Sequence, residues 1–472
     1  MFLYPEEVCR QTQFFIRQRI IKFGVSHNKL RKRVLTLKEN WNSGKSLQVF
    51  QLLRFGMLVL IGVMLTHSKL SVADIGQYES FLFWAGVASF FWLNGFIQGA
   101  LPIAGAEMTK HDSPKKSPFL FTLFFVLLVL SIIVALLFTV LYQAGLLPFL
   151  SESDRYWFLL FVVFGIPSNL TVYIYLLNDR PVSILLYGIG VFGLQGLLIL
   201  LVLISGYGVP VIFKVLASIA ILQFIWLIRL VFFFSAVSFS RELARRLLKR
   251  SWPLVLAALL SGSAQYIDGW LVTVRFDSAA FAIFRFGARE LPVVVLIANA
   301  FSNAMLPKFG KPSGFSLHLE EIKMRSANMM NWMFPLTALL MIISPVVFPY
   351  IFNQAFAESA SIFNIYLLLI IPRLIFPQTI LNGIGRNGII SKAAFYEIII
   401  NIGLSILLSF PFGLEGIAMA TVIAYLFEKC YLAYWLFRLE GVSVAAYIDW
   451  KRHLLFSAGI LTLFAVTETV IY

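Results

Sequence analysis

Apolar runs of membrane-spanning length recur along nearly the whole chain, separated by short polar turns. Thirteen spans can be drawn, at 47–66, 80–104, 118–142, 156–177, 181–204, 209–234, 252–274, 279–306, 332–351, 361–384, 388–410, 414–436 and 454–471. Apolar positions within them do not alternate with a period of two, which argues for helices and against an outer-membrane barrel. The pattern predicts an all-α polytopic membrane protein. Orientation follows from lysine and arginine, which concentrate in cytoplasmic loops. With the N-terminus inside, the inner loops hold Lys110, Lys115, Lys116, Arg180, Arg241, Arg245, Arg246, Lys249, Arg250, Lys308, Lys311, Lys323, Arg325, Arg386, Arg438, Lys451 and Arg452. The outer loops hold only Lys69, Arg155 and Arg275.

The longest inner connections are 235–251 and 308–331, and the first leaves six spans before it. An even number of spans per half means that both halves enter the membrane in the same sense, as in a parallel internal repeat. The sequence supports this: Asn94 to Pro102 reads NGFIQGALP and Asn299 to Pro307 reads NAFSNAMLP, each closing the second span of its half. The expected organisation is a basic N-terminal segment (1–45), a six-helix bundle (46–236), a basic cytoplasmic linker (237–251), a second six-helix bundle (252–438), and a linker with an extra helix (439–472). The matched amides Asn94, Asn299 and Asn303 either bond between helices or line a cavity. The thirteenth span carries Glu468 near its end, so it either crosses the membrane or lies partly in the interface.

Composition narrows the functional classes. The chain is 60% hydrophobic and only 13% charged, more apolar surface than one soluble core can cover. Its net charge of +15 does not point to nucleic acid, because the positive residues sit in membrane loops and in the N-terminal segment. There Arg10, Arg17, Arg19, Lys22, Arg31, Lys32 and Arg33 interleave with Phe14, Phe15, Ile16, Ile20 and Ile21. That suits an interfacial helix, or a basic tail that fixes orientation. No cleavable secretory signal is expected. Cys9 and Cys430 lie far apart with no partner motif, and no P-loop, dinucleotide loop or metal-spaced cluster occurs, so no cofactor or metal is expected. Short outer loops with scattered acidic residues give no basis for an enzyme.

The candidate chemistry lies in charges inside spans, which cost roughly 2.5 to 3.5 kcal/mol each at mid-bilayer and so mark interior or functional positions. Asp268, Arg285, Arg289 and Glu290 fall in one hairpin of spans, 252–274 and 279–306. At about 1.5 Å rise per residue, Asp268 and Arg285 share a depth near the outer end and form an expected ion pair, while Arg289 falls about halfway across. Arg285 and Arg289 share a helix face. Arg54 lies near mid-depth in the first span and is expected to face Arg289 across a cleft between the halves, or else to be neutralised within its own half. Arg373 and Glu397 share an inner depth and form a second expected pair. Asp268, Glu290 and Glu397 are also the candidates for ion coupling. Glu79 and Lys214 near outer ends, and Arg229, Glu428 and Lys429 near inner ends, are expected to snorkel to the interface.

Several stretches resemble the polysaccharide biosynthesis, or oligosaccharide flippase, family. "VADIGQYESFLFWAGVASFFWLNGFIQGALPIAGAEM" is similar to its first outer segment and second helix. "RSWPLVLAALLSGSAQYIDGWLVTVRFDSAAFAIFRFGAREL" with "NAMLPKFGK" is similar to its seventh and eighth, and "RLIFPQTILNGIGRNG" to its tenth helix and inner turn. The resemblance covers about 47–438. It implies a member of the multidrug, oligosaccharidyl-lipid and polysaccharide (MOP) exporter superfamily similar to Wzx-type flippases. The expected fold is then two six-helix bundles around a central cavity. The implied activity is movement of an undecaprenyl-pyrophosphate-linked oligosaccharide to the outer leaflet of the bacterial cytoplasmic membrane. Membrane lipids and a polysaccharide polymerase are the implied partners. An anionic head group suits Arg54, Arg285 and Arg289, since guanidinium makes charge-assisted bonds to phosphate. The runner-up is a cation-coupled multidrug exporter of the same superfamily, and a membrane scaffold is the reading from another class.

Overall fold

The computed structural model describes residues 42–109, 117–145, 152–262, 264–289, 292–309 and 314–471. Residues 1–41, which carry most of the basic N-terminal segment, and Glu290 lie outside the described residues.

Backbone polar groups in a bilayer must be satisfied within the segment, so apolar runs of this length fold as helices. The first half contains α1 (Ser43–Thr66), α2 (Val72–Val87), α3 (Phe90–Thr109), α4 (Phe119–Gln143), α5 (Glu152–Ser168), α6 (Leu170–Leu177), α7 (Pro181–Ile204) and α8 (Val209–Phe234). The second contains α9 (Arg241–Gly262), α10 (Ala264–Arg275), α11 (Ser278–Gly287), α12 (Pro292–Phe309), α13 (Phe315–Phe352), α14 (Ser359–Leu367), α15 (Ile370–Arg373), α16 (Pro377–Gly383) and α17 (Asn387–Glu440). A short α18 (Val444–Tyr447) then leads to α19 (Trp450–Ile471).

Every one of the thirteen expected spans coincides with a helix or with helical pieces. Among the described residues, however, seven helices are by themselves long and apolar enough to cross a membrane, or up to nine if each of two bent pairs is one span. Part of the difference is α17, which holds two expected spans in one run. They divide at Gly413, whose φ is +55°. At Gly416 a Cβ would lie 2.1 Å from the Leu408 carbonyl oxygen, so glycine there lets the two arms approach. The rest falls on α9 to α12, where breaks and charges interrupt the apolar runs, and on α19, which carries Lys451, Arg452 and Glu468.

Contacts group the chain into two compact units, one comprising α1 up to Gly56 with 172–193, the other 57–171 with 194–471. In the first, Ser43 Oγ donates to Asp179 Oδ1 at 2.6 Å and Phe50 packs on Tyr187 and Phe192. In the second, glycines set the closest helix approaches. A Cβ at Gly95 would lie 2.6 Å from the Val255 nitrogen, and one at Gly99 would lie 2.3 Å from Ser251 Oγ. These two glycines, four apart on α3, form the small-residue seam against α9. Gly76 does the same for α2 on α11, where a Cβ would lie 1.7 Å from the Ser278 carbonyl oxygen. The two sequence halves thus touch along α3 with α9 and along α2 with α11.

Candidate functional site

Arg285 and Arg289 lie at the end of α11 and just beyond it, one helical turn apart, and both turn towards α2. There the Glu79 carboxylate, only 4% exposed, accepts from Arg289 Nη2 at 2.9 Å and lies 3.7 Å from Arg285 Nε. Phe286 lies under the Arg289 guanidinium at 4.4 Å, and Phe83 faces Arg285 at 5.7 Å. Gly62 on α1 leaves the space that Arg289 occupies: a Cβ there would lie 3.3 Å from Nη1 and 3.2 Å from the Phe286 ring. Glu79 is therefore not a snorkelling residue. It is the buried counter-ion of both arginines, and it joins the first sequence half to the second.

On another side, Arg289 lines a cavity of about 30 Å³ with Thr337, Phe363, Tyr366, Ile370 and Arg373. This brings together two arginines that the sequence assigned to separate roles. That volume holds no more than a few water molecules.

Asp268 does not pair with Arg285. It is 2% exposed and accepts from Tyr366 Oη at 2.7 Å and from Thr421 Oγ1 at 2.5 Å. Thr421 Oγ1 accepts in turn from Asn401 Nδ2 at 3.3 Å, and Asn401 Oδ1 accepts from Ser405 Oγ at 2.8 Å. Equal depth placed Asp268 and Arg285 side by side, but α10 is rotated to aim its carboxylate at α14 and α17. The Arg373–Glu397 pair is likewise not formed: Arg373 lies over the Tyr425 ring at 5.8 Å, and Glu397 is in the electrostatic neighbourhood of Glu428, Lys429 and Asp268. Glu428 and Lys429 do not reach the interface either. They form a buried pair at 2.8 Å, and Lys429 also donates to Gln378 at 3.2 Å.

Arg54 is exposed on α1 and electrostatically coupled to Tyr173 within the smaller compact unit. Asn94, Asn299 and Asn303 are exposed, and among the described residues their side chains form no bond between helices. The same holds for Gln98. No group of three or more His, Cys, Asp or Glu among the described residues could hold a metal ion. Outside the spans, burial and then the nearby Glu415 charge push the Glu358 carboxyl above its ordinary range, while a hydrogen bond from Lys308 holds Glu321 below it.

The sequence missed Glu79 as a partner and Arg373 as a cavity residue. A carboxylate in the second span of one half and a pair of arginines in the second span of the other was the available signal.

No family model and no curated protein matches the chain. Solved structures do. The lipid II flippase MurJ in an inward closed conformation matches at 19% identity over 89% of this chain and 93% of that one, with a TM-score of 0.63. An inward-facing multidrug resistance MATE transporter of the MOP superfamily matches at 13% identity over 83% of this chain and 94% of that one, with a TM-score of 0.60. A MOP superfamily transporter from Pyrococcus furiosus, described as having a binding pocket of reversed polarity, matches at 14% identity over 85% of this chain and 94% of that one, with a TM-score of 0.55. The fold is that of MOP superfamily transporters: an all-α polytopic membrane protein of two six-helix bundles, here with an added C-terminal helix.

Proposed function

We propose that this protein flips an undecaprenyl-pyrophosphate-linked oligosaccharide from the inner to the outer leaflet of the bacterial cytoplasmic membrane by alternating access, for assembly of a surface polysaccharide. The observation that carries this reading is the pair of guanidinium groups, Arg289 and Arg373, on one cavity inside a bundle with the transporter fold. A membrane cavity lined by two such groups is matched to a strongly anionic, phosphate-bearing head group. The MurJ neighbour, a lipid II flippase, shares the fold and lends this cargo class support. Polysaccharide polymerase is the proposed partner, and the N-terminus is proposed to lie in the cytoplasm.

In this mechanism Glu79 neutralises Arg289 and Arg285 while the site is empty and keeps α2 against α11 on the outer side. An arriving pyrophosphate takes over those guanidinium donors. Glu79 is then released, and the contact between halves loses its charged link. Asn94, Asn299 and Asn303, and separately Arg54, are the further residues proposed to bind the cargo. The lipid tail stays in the bilayer throughout. Asp268, which accepts from the Tyr366 hydroxyl of α14 and the Thr421 hydroxyl of α17, is the proposed coupling carboxylate, with Glu397 as the second candidate and Arg373 kept for cargo. The bundles are proposed to divide at 46–236 and 252–438, with 237–251 as the linker.

The test is export of surface glycan in cells carrying Arg289→Ala or Arg373→Ala, with membrane content measured in parallel. Export is expected to be lost while the protein remains in the membrane; normal export in both variants overturns the reading. A second reading, a cation-coupled multidrug exporter, is favoured by the MATE neighbour and by the buried carboxylates Glu79 and Asp268. It predicts drug sensitivity without a glycan defect when the gene is deleted.

A further inference from the structure

The tenth span is broken: 359–373 and 377–383 meet at 47°. Pro372 and Pro377 flank the break, and proline cannot donate to the helical ladder. The backbone records the consequence, because Ile375 N–H bonds Pro372 O at 3.3 Å and not the Ile371 carbonyl four residues back. Two carbonyls at the bend take side-chain donors instead. Ser326 Oγ on α13 donates to Leu374 O at 3.0 Å, and His453 Nε2 on α19 lies 2.9 Å from Ile371 O.

His453 is built for that contact. Its ring is 8% exposed and stands edge-on to Phe334, which stacks on Phe456 of the same helix, α19. Ser457 Oγ, one turn further along, sits 3.4 Å from Nδ1. With the serine hydroxyl donating to Nδ1, the proton of the neutral imidazole lies on Nε2 and points at the Ile371 carbonyl. At the other end of α19, Glu468 Oε2 lies 3.0 Å from Ser361 Oγ in α14, and that hydroxyl also contacts Glu415 Oε1 at 2.6 Å. The Ser361 hydroxyl thus stands between two carboxyl groups, one of them on α19. Helix α19 therefore contacts the tenth span near its start, at Ser361, and at its bend, at Ile371, and that span provides Phe363, Tyr366, Ile370 and Arg373 to the cavity.

We propose that the C-terminal helix α19 is a clamp that fixes the bend of the tenth span, with His453 as a positioning residue for Arg373. The extra helix lies outside the twelve-span core, yet it holds the broken tenth span, which carries Arg373 into the cavity. The clamp rests on contacts within the second half and holds whatever the cargo; only its effect on transport rests on the flippase reading.

The experiment is a spin-label distance measurement in a Cys9→Ser, Cys430→Ser background, with labels at Asn382 on α16 and Leu339 on α13. His453→Phe keeps an aromatic ring and removes the donor. It is expected to broaden the distance distribution and to reduce glycan export at least tenfold. His453→Gln, whose amide can donate at the reach of Nε2, is expected to restore both. An unchanged distribution with His453→Phe overturns the proposal, whether or not export falls, and so does failure of Gln to outperform Phe. Should His453→Phe not accumulate, Glu468→Gln at the far end carries the test with the same expectation of broadening. A distance change combined with normal export in both Arg289→Ala and Arg373→Ala would retain the clamp and sink only the cargo reading.

Discussion

Glu79→Gln preserves the size of the side chain and removes a carboxylate that faces both Arg289 and Arg285. Removing one partner of a buried ion pair costs about 3 to 5 kcal/mol, against about 0 to 1 kcal/mol for an exposed pair. Arg289 and Arg285 are 22% and 34% exposed at the side chain, and the second contact is long at 3.7 Å, so the pair lies between these limits. An effect of about 2 kcal/mol follows, roughly a 30-fold shift in the equilibrium between the closed and open outer side. Spin labels at Gln77 on α2 and Val274 on α10 read that equilibrium in detergent and in liposomes. The short-distance population is expected to give way to a longer one in Glu79→Gln. Removing both charges with Glu79→Gln/Arg289→Gln is expected to return part of the closed population, because a neutral pair leaves less uncompensated charge. Identical populations in wild type and Glu79→Gln would refute the assignment of Glu79 as the link between halves.

Other perturbations test separate parts of the account. Gly76→Val places methyl groups against the Ser278 carbonyl, which a Cβ would already meet at 1.7 Å; overpacking of about 1 to 3 kcal/mol is expected, read as a lower melting temperature and poor monodispersity. Asp268→Asn keeps hydrogen bonds from Tyr366 and Thr421 within reach but removes the charge, so the driving-ion dependence of transport is expected to disappear while the protein stays folded. Glu321, held below its ordinary value of 4.5 by Lys308, contributes stability above that pH and loses it as pH falls through its lowered value. Melting curves of wild type and Glu321→Gln should therefore differ near neutral pH and converge in acid.

The helical plan is legible in the sequence because an apolar run in a bilayer has one low-energy backbone solution. The division between the eleventh and twelfth spans, which falls at Gly413, is legible for the same reason. What sequence could not supply is rotation. Counting residues from a span end gives the height of Asp268 and Arg285 but not which neighbour each faces, and their shared height suggested a pair that the structure does not form. Glu79 illustrates the same gap. Its position near a span end made snorkelling the default, whereas the close α2 and α11 seam set by Gly76 turns it inward onto two arginines 206 and 210 residues away in the chain. The donor at the bend of the tenth span comes from the thirteenth span, whose course the sequence left open between crossing the membrane and lying partly in the interface.

The most direct measurement reconstitutes the protein in liposomes and follows appearance of a pyrophosphate-linked sugar lipid in the opposite leaflet. Wild type is expected to transfer it, and Arg289→Gln/Arg373→Gln to lose transfer at unchanged protein content. Transfer by that double variant at the wild-type rate would contradict the claim that these guanidinium groups receive the head group.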